Sequence, residues 1–356
     1  MKFTVFNKKT KPLLGIDIGT TALKAINLQP DDHGFVITGM AQENIVGPAF
    51  SERNIKDFDA VGYALKKIKH QLNLNQADSV IAVAGPSIIS KVISVDENTD
   101  EQWLETQVLI EADSLIPYPI EDVYIDFERL VNHPIHQHKD AILLTAAHRS
   151  MIDSRNILLR EEQLSPVIVD TELNALATAC LYNYPQADEH TVFIHTGIEL
   201  LHVVVIVNGM VCYAKEHNFG TAALLQDIML DYQLERQEAL QQLTENTLPV
   251  GWNERVLPLF IRQLQQNMDR ALQLLTHTTG YTELQQIVLS GAIAVLPDIA
   301  QQCNNELNIS CKVFELNNKY VRFADSLQNA NKLANWIPLM PIAMGLSMRS
   351  INPWHR

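Results

Sequence analysis

The residues best suited to chemistry lie in one short segment near the start of the chain. Residues 13–28 have the pattern of two strands joined by the turn Gly19-Thr20-Thr21, and Asp17 is the one carboxylate of the first strand. Glycine lets backbone N–H groups approach an anion closely, and successive N–H groups in such a turn favour phosphate. Lys24 could bring an ammonium to the same anion, and Asp17 could hold a metal-bound water. The segment indicates a phosphate-binding hairpin; a plain polar β-turn is the alternative that the local pattern leaves open.

The composition excludes several classes of protein. The chain has 356 residues, enough for two or three domains, and a formal net charge of −14, which argues against a nucleic-acid partner. Its four cysteines form no CxxC pair, which is typical of reduced thiols in the cytoplasm. No apolar run reaches membrane-spanning length, so we expect a soluble protein without a direct membrane span.

The order of elements explains how the turn would be positioned. After the hairpin come a strand at 35–45, an amphipathic helix at 55–74 and a buried strand at 79–85. The second half begins in the same way, with a strand and polar turn at 192–199 followed by two further strands. It then continues with a long helix over 253–277, a strand over 287–292 and a helix over 296–307. Such a repeat predicts two similar domains that face each other across a cleft and hold one anion between them.

These motifs together resemble the actin-like ATPase superfamily of actin, Hsp70 and the sugar kinases. Residues 17–24 resemble its first phosphate motif and 192–197 its second, while 287–292 match the adenosine motif and 341–346 the second connecting helix. Within the superfamily the chain is similar to the PilM family of type IV pilus assembly, itself similar to FtsA. The more specific signatures are Glu111-Ala112-Asp113, 116–122, 144–149, 164–172 and Asn218-Phe219-Gly220.

The resemblance implies an α/β, bilobal actin-like (Hsp70-like) ATPase fold with an FtsA-like inserted subdomain in the first lobe. The first lobe core would be 1–85, rejoined by 149–188 and by a C-terminal helix, 341–356. Residues 86–148 would form the inserted small α/β subdomain. The second lobe would have its core in 189–221 and 285–340 and a helical subdomain in 222–284.

The resemblance also implies an adaptor in the inner-membrane complex of type IV pilus assembly, cytoplasmic and peripheral at the inner membrane. Its partner would be the N-terminal cytoplasmic tail of PilN, with other inner-membrane and motor proteins of the pilus as further partners. The tail would lie in a groove between the first lobe core and the inserted subdomain, near Ile116, Pro117, Tyr118 and Pro119. Proline and tyrosine at such a corner also commonly only shape a turn, and this alternative stays open.

The chain departs from the superfamily pattern in its second phosphate motif. His195 stands where relatives carry an aspartate, and an imidazole cannot replace a carboxylate for Mg²⁺. His195 could bond a phosphate oxygen or fill space in the interior. Glu199 would repel a phosphate if it faced inward. Leu243 lies near the place of a lysine that contacts adenosine in relatives.

We therefore expect ATP binding with weak or absent hydrolysis, and Mg²⁺ at most weakly held. The expected nucleotide-binding residues are Asp17, Gly19, Thr20, Thr21, Lys24, Thr196, Gly197, Gly291 and Ala292. Asp17, through a water, is the candidate metal ligand, and Asp17 and Glu172 are the candidate catalytic residues. The alternative function is an active ATP-dependent kinase or ATPase of the same superfamily, which would need a catalytic carboxylate in the cleft.

Overall fold

Strands with buried apolar side chains and amphipathic helices account for most of the chain. The computed structural model describes residues 12–96, 100–130, 139–185, 190–244, 247–279 and 284–349. The strands there are β1 Leu14–Ile18, β2 Ala22–Asp31, β3 Gly34–Asn44, β4 Phe50–Ser51, β5 Asn54–Ile55, β6 Ala77–Val83, β7 Ile89–Asp96, β8 Val123–Leu130, β9 Lys139–His148, β10 Leu164–Thr171, β11 Thr191–Thr196, β12 Leu201–Val207, β13 Met210–His217, β14 Gln286–Gly291, β15 Ser310–Val313 and β16 Val321–Phe323. The helices are α1 Phe58–Gln71, α2 Glu101–Leu115, α3 Arg149–Glu161, α4 Glu172–Asn183, α5 Thr221–Tyr232, α6 Arg236–Thr244, α7 Trp252–Arg255, α8 Leu257–Thr279, α9 Ile299–Leu307, α10 Ala330–Ala334 and α11 Pro341–Met348.

The chain divides into two compact units, each described by itself. Among the described residues, the N-terminal unit contains 12–24, those of Ala41–Glu172, and 346–349. In it β10, β6 and β1 are parallel neighbours, and every residue of β1 is buried. The side chain of Asp57 accepts a hydrogen bond from the Ala60 N–H and so caps α1.

A separate three-stranded antiparallel sheet within the N-terminal unit has the order β7-β9-β8. Helix α2 packs on this sheet because Leu104, Val108 and Ala112 recur every four residues and form one buried stripe. The sheet leaves β7 and β8 as edge strands.

The C-terminal unit contains Ala25–Met40 and Leu173–Gly345. Its five-stranded sheet has the order β13-β12-β11-β14-β15, with β12 buried along its whole length. Helices α5 and α8 cover the sheet, and Phe260, Ile261 and Leu264 of α8 are fully buried in its main core. Strands β11 and β14 are parallel neighbours, paired from Thr191 with Gln286 to Thr196 with Gly291, so their ends lie side by side.

Two predicted helices in the C-terminal unit are wrong in their bounds. The helix expected over 253–277 is interrupted at Val256, between α7 and α8, because Pro258 lacks an N–H and its ring would clash with the preceding turn. The helix expected from residue 296 begins at Ile299, because Asp298 after Pro297 has a left-handed backbone, with φ of 53°. The last residues of the predicted C-terminal helix, 350–356, lie outside the described residues.

No described helix combines the length and the apolar character needed to cross a membrane.

Candidate functional site

The first turn connects β1 to β2, and its buried carboxylate is already paired. Asp17 is 3% exposed, and its Oδ2 accepts a hydrogen bond of 3.0 Å from Lys24 Nζ. The turn residues Gly19, Thr20 and Thr21 stay partly exposed. A Cβ on Gly19 would lie 2.9 Å from the Ala22 carbonyl oxygen and 3.8 Å from Lys24 Nζ, so the ammonium lies beside the turn. The first turn thus has the small residues and the cation predicted for it, and the cation neutralises Asp17.

The second turn, which follows β11, uses its backbone groups internally. The Gly197 N–H donates to the Leu200 carbonyl at 2.8 Å. The first N–H groups of α5 are also engaged, since Thr221 donates to the Gly197 carbonyl and Ala222 to the Ile198 carbonyl. A phosphate at this turn would therefore find the Gly197 N–H already bonded. Glu199, expected to repel a phosphate if it faced inward, is exposed.

His195 belongs to the interior of the sheet. It is 3% exposed, and its Nδ1 lies 3.1 Å from the Oγ of Ser290 on the neighbouring strand β14. The Ser290 hydroxyl donates its one hydrogen bond to the Ile194 carbonyl, so its oxygen accepts a hydrogen bond from the Nδ1–H of His195. Through this Nδ1 donor His195 bridges β11 and β14, and the space-filling alternative describes its surroundings better than the role of a phosphate ligand.

The adenosine motif contacts the end of β11 directly. Gly291 has φ of +78°, and a Cβ there would overlap the Thr196 carbonyl, so only glycine allows the two strand ends to come this close. Ala292 begins the short 3-10 turn Ala292–Val295. Thr196 is fully buried, and its Oγ1 has no hydrogen-bond partner among the described residues. The structure thus brings Thr196, Gly197 and Gly291 together within the C-terminal unit.

Glu172 pairs with one arginine, and a second buried arginine lies behind it; the sequence indicated neither. Its carboxylate is 6% exposed and forms an ion pair with Arg53. Arg155, 1% exposed, donates from Nη1 to the Met151 carbonyl at 2.9 Å and from Nη2 to the Arg53 carbonyl at 2.8 Å. Burial lowers the pKa of Arg155 to about 10; the positive charge of Arg53 adds to this lowering, and Glu172 opposes it. Glu172 is therefore paired with the Arg53 guanidinium, and the buried Arg155 holds the backbone of Arg53.

The backbone that places Arg53 is strained. Glu52 and Arg53 have φ of 47° and 65°, between the short paired strands β4 and β5. Two central residues with positive φ form a turn that normally takes Asn-Gly, and here both residues carry long side chains. Since no glycine or asparagine stands at these two positions, the sequence offers no turn signal there.

The corner at 116–119 has two residues that pack against the subdomain and two prolines that are exposed. Ile116 is buried at the end of α2, and the Tyr118 ring lies 4.2 Å from the His148 ring, centroid to centroid. Pro117 and Pro119 are exposed. Ile116 and Tyr118 thus shape the subdomain, while the two prolines are accessible to a partner.

The first turn, taken by itself, suits the phosphates of a nucleotide better than it suits a metal ion. The first turn offers partly exposed small residues with an ammonium beside them. Mg²⁺ requires several oxygen ligands. Asp17 is committed to Lys24, and a nitrogen donor, His195, occupies the second motif. The described residues hold no group of three or more histidine, cysteine, aspartate or glutamate side chains arranged for a metal. These residues do not fit a magnesium site.

Comparisons with known proteins agree with one another. The model of a family described as "Type IV pilus assembly protein PilM" matches residues 15–351. A solved structure titled "PilM-PilN type IV pilus biogenesis complex" is similar at 18% identity and a TM-score of 0.82, covering 97% of this chain and 100% of that one. The ethanolamine utilization protein EutJ from Carboxydothermus hydrogenoformans is similar at 11% identity and a TM-score of 0.55, covering 94% and 89%. The α/β actin-like fold is thereby confirmed.

Proposed function

This chain belongs to the PilM family of type IV pilus assembly proteins, and we propose that it is an adaptor that binds the cytoplasmic N-terminal tail of PilN. The observation that carries the proposal is the family match over residues 15–351. The likeness to a protein solved as a PilM-PilN complex supports it. The pilus assembly role follows from the family, whereas PilN binding by this chain is our proposal.

The three-stranded sheet offers a surface suited to an extended tail. On β7, Ile93 and Val95 are buried toward α2, while Val92 and Ser94 point to the other face and are exposed. Val92 pairs with Leu143 of β9 on that second face. An extended peptide could add its main-chain hydrogen bonds to an edge strand of this sheet and place apolar side chains against Val92.

The adaptor role is tested by titrating a synthetic peptide of the PilN tail against two matched variants. Val92→Glu places a charge on the proposed surface, and Val211→Glu places one on β13, an edge strand of the other sheet. Val92 is 39% exposed and Val211 38%, so both changes should be equally tolerated by the fold. We expect Val92→Glu to weaken binding about tenfold or more and Val211→Glu to leave it within about twofold. Equal effects would remove the sheet as the docking surface, and no binding to wild type would overturn the adaptor role.

We further propose that the first turn binds the phosphates of ATP, with weak or absent hydrolysis. The accessible Gly19-Thr20-Thr21 turn and the adjacent ammonium of Lys24 support nucleotide binding. The bonded Gly197 N–H and the buried His195 support poor hydrolysis, because phosphoryl transfer needs donors arranged around the developing charge. The roles of Asp17 and Glu172 as catalytic groups, and of Asp17 as a water-mediated metal ligand, stay predictions that their ion pairs disfavour.

Isothermal titration with ATP tests nucleotide binding, and a turnover assay tests whether the bound ATP is hydrolysed. We expect saturable binding and phosphate release far slower than that of an ordinary kinase. Rapid turnover would favour the kinase or ATPase alternative. A position at the inner membrane through PilN, contacts with other inner-membrane and motor proteins, and the domain boundaries stated above remain proposals of the same kind.

A further inference from the structure

Helix α2 is apolar on two opposite sides, and only one of them is covered. The stripe of Leu104, Val108 and Ala112 packs into the three-stranded sheet. On the outward side Trp103 is 56% exposed and Ile110 65%, and Leu109, beside them, is 52% exposed. A surface helix normally carries polar residues on its outer face, and contiguous exposed apolar residues mark a site of interaction.

The outward residues form a ridge along the helix. Trp103 and Ile110 are seven residues apart, which is two helical turns, so they project from the same side. Leu109, one position before Ile110, lies about 100° around the helix from it and so widens the apolar face to one side of the ridge. Such spacing fits the groove of a second helix, in which apolar residues recur at the same intervals. The helix start is fixed, since Asp100 Oδ1 accepts the Trp103 N–H at 2.9 Å.

The charges beside the ridge decide which partner it suits. Glu111 flanks it on one side, and Glu105 and Asp113 flank it on the other; all three are exposed. No lysine or arginine occurs between Glu101 and Leu115. Like charges would repel a second copy of this face, and the same carboxylates would be repelled by an anionic lipid surface. Complementary charge therefore requires lysine or arginine on the partner.

We propose that the outer face of α2, formed by Trp103, Leu109 and Ile110, docks a basic amphipathic helix of a partner protein. This surface lies on the side of α2 opposite the sheet, and its occupant is helical and cationic. It is therefore distinct from the extended-peptide surface around Val92, and the proposal does not depend on tail or nucleotide binding.

The probe is a fluorescently labelled synthetic helix with leucine on one face and lysine on the other, titrated by anisotropy. The double variant Trp103→Ala/Ile110→Ala removes the ridge. The matched control is Leu230→Ala, since Leu230 is 73% exposed on α5 next to Asp231 but has no second exposed apolar neighbour one or two turns away on that helix. We expect the double variant to weaken probe binding about tenfold and the control to change it less than about twofold. Circular dichroism checks that both variants fold.

A charge variant tests the second half of the argument without truncating the ridge. Glu105→Lys/Asp113→Lys should lose the lysine probe and gain a probe whose lysines are replaced by glutamate. Equal binding of the lysine probe by wild type and by the ridge variant overturns the proposal. So does a wild-type dimer that the ridge variant makes monomeric in sedimentation, or vesicle binding that the variant abolishes. Binding of the PilN tail should be the same in all these proteins, so failure of one proposal leaves the other measurable.

Discussion

The first and second turns follow buried strands of similar pattern, yet they differ in what they leave available. At the first turn Lys24 lies beside partly exposed small residues, and its ammonium pairs with Asp17 at 3.0 Å. At the second, the Gly197 N–H is bonded to Leu200 and His195 is locked to Ser290. One turn retains a cation and room for an anion. At the other turn, the Gly197 N–H and the His195 ring are already hydrogen-bonded within the protein.

This difference shows that a repeated backbone does not guarantee repeated chemistry. The second turn keeps its shape through packing, because Gly291 and Gly220 each allow a carbonyl of the turn region to approach their Cα. The first turn keeps fewer such contacts and more exposure. A motif that is held by its own hydrogen bonds preserves the fold without offering those groups to a ligand.

The largest effect should come from the glycines that hold the two turns. Gly291→Ala adds a Cβ that overlaps the Thr196 carbonyl at a residue with φ of +78°, so we expect a loss of about 3 kcal/mol in unfolding free energy. Gly19→Ala has an ordinary φ and a Cβ contact of 2.9 Å, so about 1 kcal/mol is expected. Urea unfolding measures both. Equal losses would mean that packing holds the two turns alike.

A smaller effect should separate the turns as nucleotide sites. Lys24→Met removes the ammonium beside the first turn, and we expect ATP affinity to fall about tenfold, or about 1.4 kcal/mol. Thr196→Val removes a buried hydroxyl without a partner among the described residues, so affinity should stay within about twofold and stability should not fall. Titration calorimetry gives both affinities. A reversed order would make the second turn the phosphate site.

Replacing Asp17 should change ATP affinity very little, in contrast to the loss of affinity expected for Lys24→Met. Asp17→Asn frees the ammonium while keeping the side chain's shape, so ATP affinity should be unchanged or slightly higher. EDTA should also leave affinity within about twofold, because the residues do not fit a magnesium site. If Asp17→Asn and EDTA each lowered affinity strongly, Asp17 would be acting through a metal ion.

The strand–turn–strand pattern of both turns could be predicted because it depends on local signals. Apolar runs ending in glycine and hydroxyl residues located both, and the resemblance supplied the superfamily. The sequence predicted that Asp17 and Lys24 lie near the same anion. It did not predict that they would form an ion pair with each other. An interior, space-filling His195 was one of the two alternatives that the sequence left open, but its contact with Ser290, 95 residues away, has no local signal.

The cluster around Glu172 shows the same limit. Arg53 reaches Glu172 from a turn with no glycine, and Arg155 lies on a helix whose apolar pattern did not mark it as buried. Neither arginine has a local signal, and their burial follows from contacts between residues far apart in sequence. The break between α7 and α8 has a signal in the sequence, Pro258. The regular spacing of apolar residues on both sides of it nevertheless predicted one continuous helix.

A pH titration should give a small effect that appears only at low pH, at the strand that leads to the helix after the second turn. His217, near the start of α5, has a lowered pKa because of burial first, with Arg270, Lys215 and His202 adding positive charge. A histidine with a folded pKa below its unfolded value binds fewer protons when folded, so its stability contribution falls as pH drops below about 6.5. His217→Gln should therefore unfold at nearly the wild-type temperature at pH 7.5 and gain relative to wild type at pH 5.5. The Gly19→Ala variant, in the other turn, should keep a constant difference from wild type over that range. If the His217→Gln difference did not change with pH, protonation of His217 would not limit the stability of the second turn.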